Sequence, residues 1–257
     1  MPSQPWTRDE LLVAINLYCK IPFGRFHDTN PDVVSFAERL RRTPGSLSMK
    51  LSNFASFDPT HKQRNVGGLK HASRLDKEVW DEFNSNWERA AYESQEALKR
   101  LGLLAIEDTT DEPDIALPSP GKTEAERKTR VRLVQSFFRR AVLVSYKSKC
   151  SFCGIGLPQL LIASHIIPWK DSVERRADPH NGICLCALHD RAFDCGLLGI
   201  GNKHEILVSR ACKTDNVPEL HRVALLSIEG RLLLPPYRFA PDHAAILFHR
   251  ERIFDRT

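Results

Sequence analysis

Two short strings hold most of the residues that could do chemistry. "CSFC" supplies Cys150 and Cys153 two residues apart, and "CALH" supplies Cys186 and His189 at the same interval. Each interval places two side chains on one tight turn. Two such pairs a few tens of residues apart are the recurring pattern of a tetrahedral structural zinc site. Soft thiolates with one imidazole favour Zn²⁺ over hard cations. Cys184 competes with Cys186 for the third position. The interval to His189 favours Cys186, while Cys184 lies in an apolar, strand-like run and is expected to pack.

A zinc knuckle leaves other residues unexplained. "LLIASHIIPWK" places His165 after an apolar run and before Pro168. Sixteen residues on, "NGICLCALHDRAFD" brings Asn181, Asp190 and Asp194 into the same region. A histidine titrates near neutrality and can serve as a general base at physiological pH. Carboxylates suit Mg²⁺ or Mn²⁺ better than Zn²⁺.

The string from Cys150 to Leu198 resembles the HNH (ββα-metal) endonuclease family. The similarity is strongest to a branch that reads roughly S-H-I-x-P-W, then N-G-x-x-L, then H/Y-D-x-x-F-D-x-G-L. The preceding helix carries a similar Q-x-x-F-R core at Gln135, Phe138 and Arg139, and "LFHRERIF" resembles the branch's C-terminal end. The resemblance spans about residues 123–257. It implies a β-hairpin and a helix around one divalent cation. His165 would deprotonate a water for attack on a phosphodiester, and Asn181 would hold that imidazole or its loop. Ser164, Asp190 and Asp194 fall at the family's metal-ligand positions, so Mg²⁺ or Mn²⁺ is the implied catalytic cation. Ser164 stands where many members have His or Asp. Asp190 takes the place of the last histidine of the family's name. Asp194 could instead brace the motif. In that register His189 belongs to the zinc knuckle rather than to catalysis.

These residues need elements to position them. A helix is expected over about 123–147, then short strands, a helix from about Ala187 and a β-rich tail. In that tail "LLGIGNKHEILVS" and "LLSIEGRLLLPP" both read as hairpins. Residues 122–150 hold nine Lys or Arg against two Glu. With a nuclease motif beside them they could neutralise phosphates. Arg139, Arg140, Arg175 and Arg176 are the candidate DNA contacts there, the last two in the loop between the motif strands.

The first hundred residues read as helical. Thr7 and Glu10 form a possible capping box, followed by Leu11, Ala14, Ile15 and Tyr18 at helical spacing. "NPDVVSFAERLRRTPGSLSMKLSNFASF" resembles a helix-turn-helix whose second helix, "PGSLSMKLSNF", carries Lys50 as a DNA-contact candidate; a hairpin with only a packing role is the alternative. Trp80, Phe83 and Trp87 form a stripe, either core or an aromatic cage. "EDTTDEPDIALPSPGKTE" reads as a linker.

The expected fold class is therefore α+β. An all-α, helix-turn-helix-like domain (1–104) is joined by a linker (105–122) to a ββα-metal nuclease domain with a structural zinc knuckle (123–257). The chain has 257 residues and a net charge of +5, with 42% hydrophobic and 27% charged residues, as in ordinary globular proteins. No apolar run approaches the roughly 20 residues of a membrane span. "MPSQPWTRDE" lacks the regions of a signal peptide, so a cytoplasmic location is expected. Double-stranded DNA, modified or not, is the expected partner. The pairing of a helical domain with an HNH domain resembles restriction endonucleases of the McrA type, in which an N-terminal region reads modified DNA and a C-terminal HNH domain cuts. Cutting both strands needs two active sites or two events, which a homodimer would supply. The alternative function is a zinc-stabilised DNA-binding regulator with a degenerate nuclease centre.

Overall fold

The computed structural model describes residues 4–59, 72–103 and 122–255. Two compact units divide the chain, one up to Phe137 and the other from Phe138. The expected linker falls almost wholly on residues 104–121, outside the described residues. The division between the units lies inside a helix, α6 (Lys122–Ser145).

The first unit is helical: α1 (Arg8–Lys20), α2 (Pro31–Arg39), α3 (Pro44–Phe57), α4 (Arg74–Ser85) and α5 (Trp87–Arg100). The Thr7 and Glu10 capping box starts α1, which is buried from Leu11 to Lys20 and packs against α3, α4 and α5. Asn30 caps α2 and Thr43 caps α3, with Arg41 at φ 54° in the turn between them. The two helices expected of a helix-turn-helix are thus present. The next stretch forms two helices, α4 and α5, rather than one. Asn86 adopts φ −151° and ψ 87°, and its side chain caps a new helix by accepting from Arg89 N–H. Trp80, Phe83 and Trp87 are core residues, at most 7% exposed. Phe83 and Trp87 also pack on Phe137.

In the second unit, β1 (Leu161–His165) and β2 (Gly182–Cys186) form an antiparallel pair with His165 opposite Gly182. Helix α7 (Ala187–Asp194) follows β2 without a loop. Gly182 is required for packing. A Cβ there would overlap Val142 and stand 3.0 Å from Phe138 Cζ, so only glycine lets α6 lie this close to the hairpin. The core runs through Phe138, Val142, Ile183, Leu185, Phe193 and Leu198.

The expected hairpin at 197–209 forms as β3 (Leu198–Ile200) and β4 (Ile206–Val208). The second expected hairpin does not. Leu226–Ile228 is a 3₁₀ turn, and the chain after Gly230 (φ 73°) lies along the first hairpin instead. Ile206 N–H donates to Arg231 C=O, and Leu232 bridges Glu205. The existing strand edge offered those backbone groups partners, so "LLLPP" had no need of its own. The tail is also more helical than expected, with α8 (Glu219–Ala224) and α9 (His243–Arg252). Among the described residues, no helix is long and apolar enough to cross a membrane.

Candidate active site and metal centre

The four knuckle residues converge. The ligand atoms of Cys150, Cys153, Cys186 and His189 all lie within 4.8 Å of one another. His189 Nδ1 is 3.4 Å from Cys150 Sγ and 3.3 Å from Cys186 Sγ, and the sulfurs of Cys153 and Cys186 are 4.0 Å apart. Zinc bonds of about 2.3 Å to sulfur and 2.0 Å to nitrogen imply tetrahedral edges of about 3.8 and 3.5 Å, so the cage is the right size. The turn that closes it depends on Gly154 at φ 78° and on Gly154 N–H donating to Cys150 C=O. His189 Nε2 lies 2.9 Å from Ala224 C=O. A carbonyl can only accept, so Nε2 carries the hydrogen and the Nδ1 lone pair faces the sulfurs. Burial, with nearby Cys150 and Cys186, pushes the Cys153 thiol up to about 12 against an opposing backbone hydrogen bond. A cation would be needed to hold Cys153 as a thiolate. Cys184 is buried in β2 and is not one of the four.

His165 sits at the end of β1, with its ring stacked on Phe138 at 3.8 Å and edge-on to Trp169 at 5.5 Å. Nε2 lies 3.0 Å from Arg176 C=O. By the same logic Nε2 donates, and Nδ1 keeps its lone pair. Burial lowers the imidazole below its ordinary range and outweighs the opposing hydrogen bond to Arg176. The neutral, basic form therefore prevails at neutral pH.

Asn181, 1% exposed, does not contact the imidazole. It braces the loop that holds it. Its Oδ1 accepts from Ile167 N–H at 2.8 Å, and its Nδ2 donates to Ile167 C=O at 3.0 Å and to Arg175 C=O at 3.3 Å. The next carbonyl, that of Arg176, is the one holding His165.

Ser164, Asp190 and Asp194 come together. Burial raises the Asp190 carboxyl, opposed by the Ser164 hydroxyl and by Arg191. That hydroxyl favours the ionised Asp190 without reaching good hydrogen-bond geometry; Ser164 Oγ is buried and otherwise unpartnered. Burial and the charge of Asp190 raise Asp194 to about 6, although its outer edge is open to solvent. Two carboxylates that disfavour each other's charge, beside an unpartnered hydroxyl, fit a hard divalent cation.

Most of the expected DNA contacts are engaged within the protein. Lys50 pairs with Asp76, a fully buried carboxylate, at 2.8 Å and lies over the Trp6 ring. It is the only Lys or Arg of α3. Arg139 donates to Leu161 C=O. Arg175 forms ion pairs with Asp178 at 3.0 Å and with Asp242. Arg176 lies over Trp169 at 4.9 Å and donates to its carbonyl. Arg140 is half-buried. Sequence reasoning missed the bracing roles of Trp169 and Asp242. Trp169 was within reach, two residues past "SHII". Asp242 was not, since nothing local ties it to a loop some 65 residues earlier.

Residues 150–201 match the HNH endonuclease family. The match lies wholly within the second unit and takes in the zinc-knuckle residues, His165, Asn181, Asp190 and Asp194. No curated protein matches the chain. Among solved structures, a "modification dependent TagI restriction endonuclease" aligns at 20% identity with a TM-score of 0.30, covering 45% of this chain and 37% of that one.

Proposed function

We propose that the protein is a metal-dependent DNA endonuclease that hydrolyses phosphodiester bonds. The observation that carries this reading is His165: a neutral imidazole whose Nε2–H is fixed on Arg176 C=O, leaving Nδ1 as the base. It would take the proton of the attacking water. Asp190 and Asp194, with Ser164 beside them, would hold Mg²⁺ or Mn²⁺. Such a cation would stabilise charge on the phosphate and on the leaving 3′-oxygen. Asn181 keeps the loop in register. Cys150, Cys153, Cys186 and His189 would hold a structural Zn²⁺ that fixes the start of α7, and so places Asp190 one residue beyond His189.

We read the biological role as restriction, with modified DNA as the discriminating substrate. That reading rests on the resemblance of residues 123–257 to the McrA-type branch and on the helical unit attached to them. A homodimer would cut both strands of a duplex. The test is cleavage of matched unmodified and cytosine-modified duplexes with Mg²⁺, Mn²⁺ or no added divalent ion. Metal-dependent cutting supports the nuclease reading, and preference for modified DNA supports the role. Tight binding without cutting under any condition would return the chain to a zinc-stabilised DNA-binding regulator.

A further inference from the structure

If the cations expected to meet DNA are mostly engaged elsewhere, others must do so. A cavity of about 690 Å³ opens beside Asp194, lined along one wall by Leu247, Phe248 and Arg252 of α9 and along the other by Pro168, Lys170 and Asp171. That volume lies within the roughly 300–1,000 Å³ of pockets that hold small ligands. Lys170 and Arg252 are exposed, and the side chain of neither makes an ion pair or hydrogen bond among the described residues. Arg250, by contrast, is held by Asn202. The cavity thus joins a catalytic carboxylate, two uncommitted cations and an apolar helix face.

We propose that this groove carries the DNA strand where it leaves the catalytic carboxylates, with Lys170 and Arg252 holding its phosphates. The inference deepens the nuclease reading and rests on it. A strand whose scissile phosphate sits at Asp190 and Asp194 must exit past one side of Asp194, and this groove begins there. Phosphate oxygens are met by ammonium and guanidinium groups, while Leu247 and Phe248 offer apolar surface to sugars and bases. Asp171 and Glu251 also line the groove. Their carboxylates repel phosphate, so removing either charge should act in the opposite direction.

The test uses the full chain and a defined duplex. Binding is measured by fluorescence anisotropy across a salt series in a His165→Ala background, and steady-state cleavage is measured with His165 intact. Lys170→Ala with Arg252→Ala should weaken binding roughly five- to tenfold at low salt. It should also reduce the slope of log K against log salt by about 2, close to 0.9 per phosphate contact. The loss in cleavage should fall on KM. Glu251→Gln should tighten binding. Lys213→Ala, an exposed cation paired with Glu229, should change neither. An unchanged slope in the double variant overturns the proposal, even if the wild type cuts DNA normally. If the wild type cuts nothing, the nuclease reading fails, and the salt slope still decides whether the groove takes DNA.

Discussion

Asn181→Ala separates a loop-bracing asparagine from one that acts on substrate. The substitution strands three backbone groups: Ile167 N–H, Ile167 C=O and Arg175 C=O. All had their partner on a side chain 1% exposed. An unsatisfied buried group costs about 1–3 kcal/mol. The bond to Arg175, at 3.3 Å, is the weakest of the three. The cost should be about 3 kcal/mol, partly relieved by water entering the gap. With a urea m-value of about 2 kcal/mol/M, the midpoint of the second unit should fall by about 1.5 M. Hydrogen exchange gives the local readout, because the Ile167 amide loses its acceptor and a peptide spanning 161–169 should lose protection. Cleavage should fall too, because the Arg176 carbonyl no longer holds His165 in place. Asn181→Asp should not rescue. It keeps an acceptor for Ile167 N–H but turns a carboxylate oxygen toward two carbonyls. An Asn181→Ala protein with wild-type midpoint and wild-type protection at 161–169, yet no cleavage, would overturn the loop-bracing role and place Asn181 on the substrate.

Gly182→Ala should destabilise the second unit by about 1–3 kcal/mol through overpacking against Val142 and Phe138. It should lower cleavage because Phe138 is the platform for His165; thermal unfolding and a cleavage assay check both. His249 is buried, stacked on Phe193 at 3.6 Å, and hydrogen-bonded through Nε2 to Phe193 C=O. Burial lowers it to about 4. Its neutral form is favoured in the folded state, so the unfolded chain binds the extra proton between about pH 6.5 and 4. The contribution is fully present above pH 6.5 and fades by about 3 kcal/mol as pH falls to 4. His249→Phe should therefore lose less stability than wild type between pH 7 and 4.5 in denaturant titrations; parallel losses would count against it. His189→Ala should release zinc, read by metal analysis, and lower the unfolding midpoint of the second unit. Retention of one zinc per chain with a wild-type midpoint would contradict its structural role.

The zinc knuckle was legible because its two pairs needed only turns. The register from Asn181 that separates Asp190 from His189 came from the family resemblance, not from spacing alone. Contacts between distant segments were not legible. Lys50 looked available on a helix surface because Asp76, its partner, lies 26 residues away. The ion pair of Arg175 with Asp242, at the start of α9, could not be read from its own loop. "LLSIEGRLLLPP" carried a sound hairpin pattern, yet its backbone paired with β4 and the preceding turn. The groove was invisible for the same reason, since Lys170 and Arg252 meet only in the fold. The boundary between the units was hidden by continuity. Phe137 and Phe138 are neighbours in one helix, but the first packs on Phe83 and Trp87 and the second on His165.

The central claim is that His165, and not His189, is the base of a metal-dependent nuclease. Single-turnover cleavage of a supercoiled plasmid with Mg²⁺ or Mn²⁺, wild type against His165→Ala, tests it most directly. His165→Ala should keep its fold and its zinc but cut at least about 100-fold more slowly, the usual scale of losing a general base. Equal cutting by the two proteins, or none by the wild type, would contradict the claim.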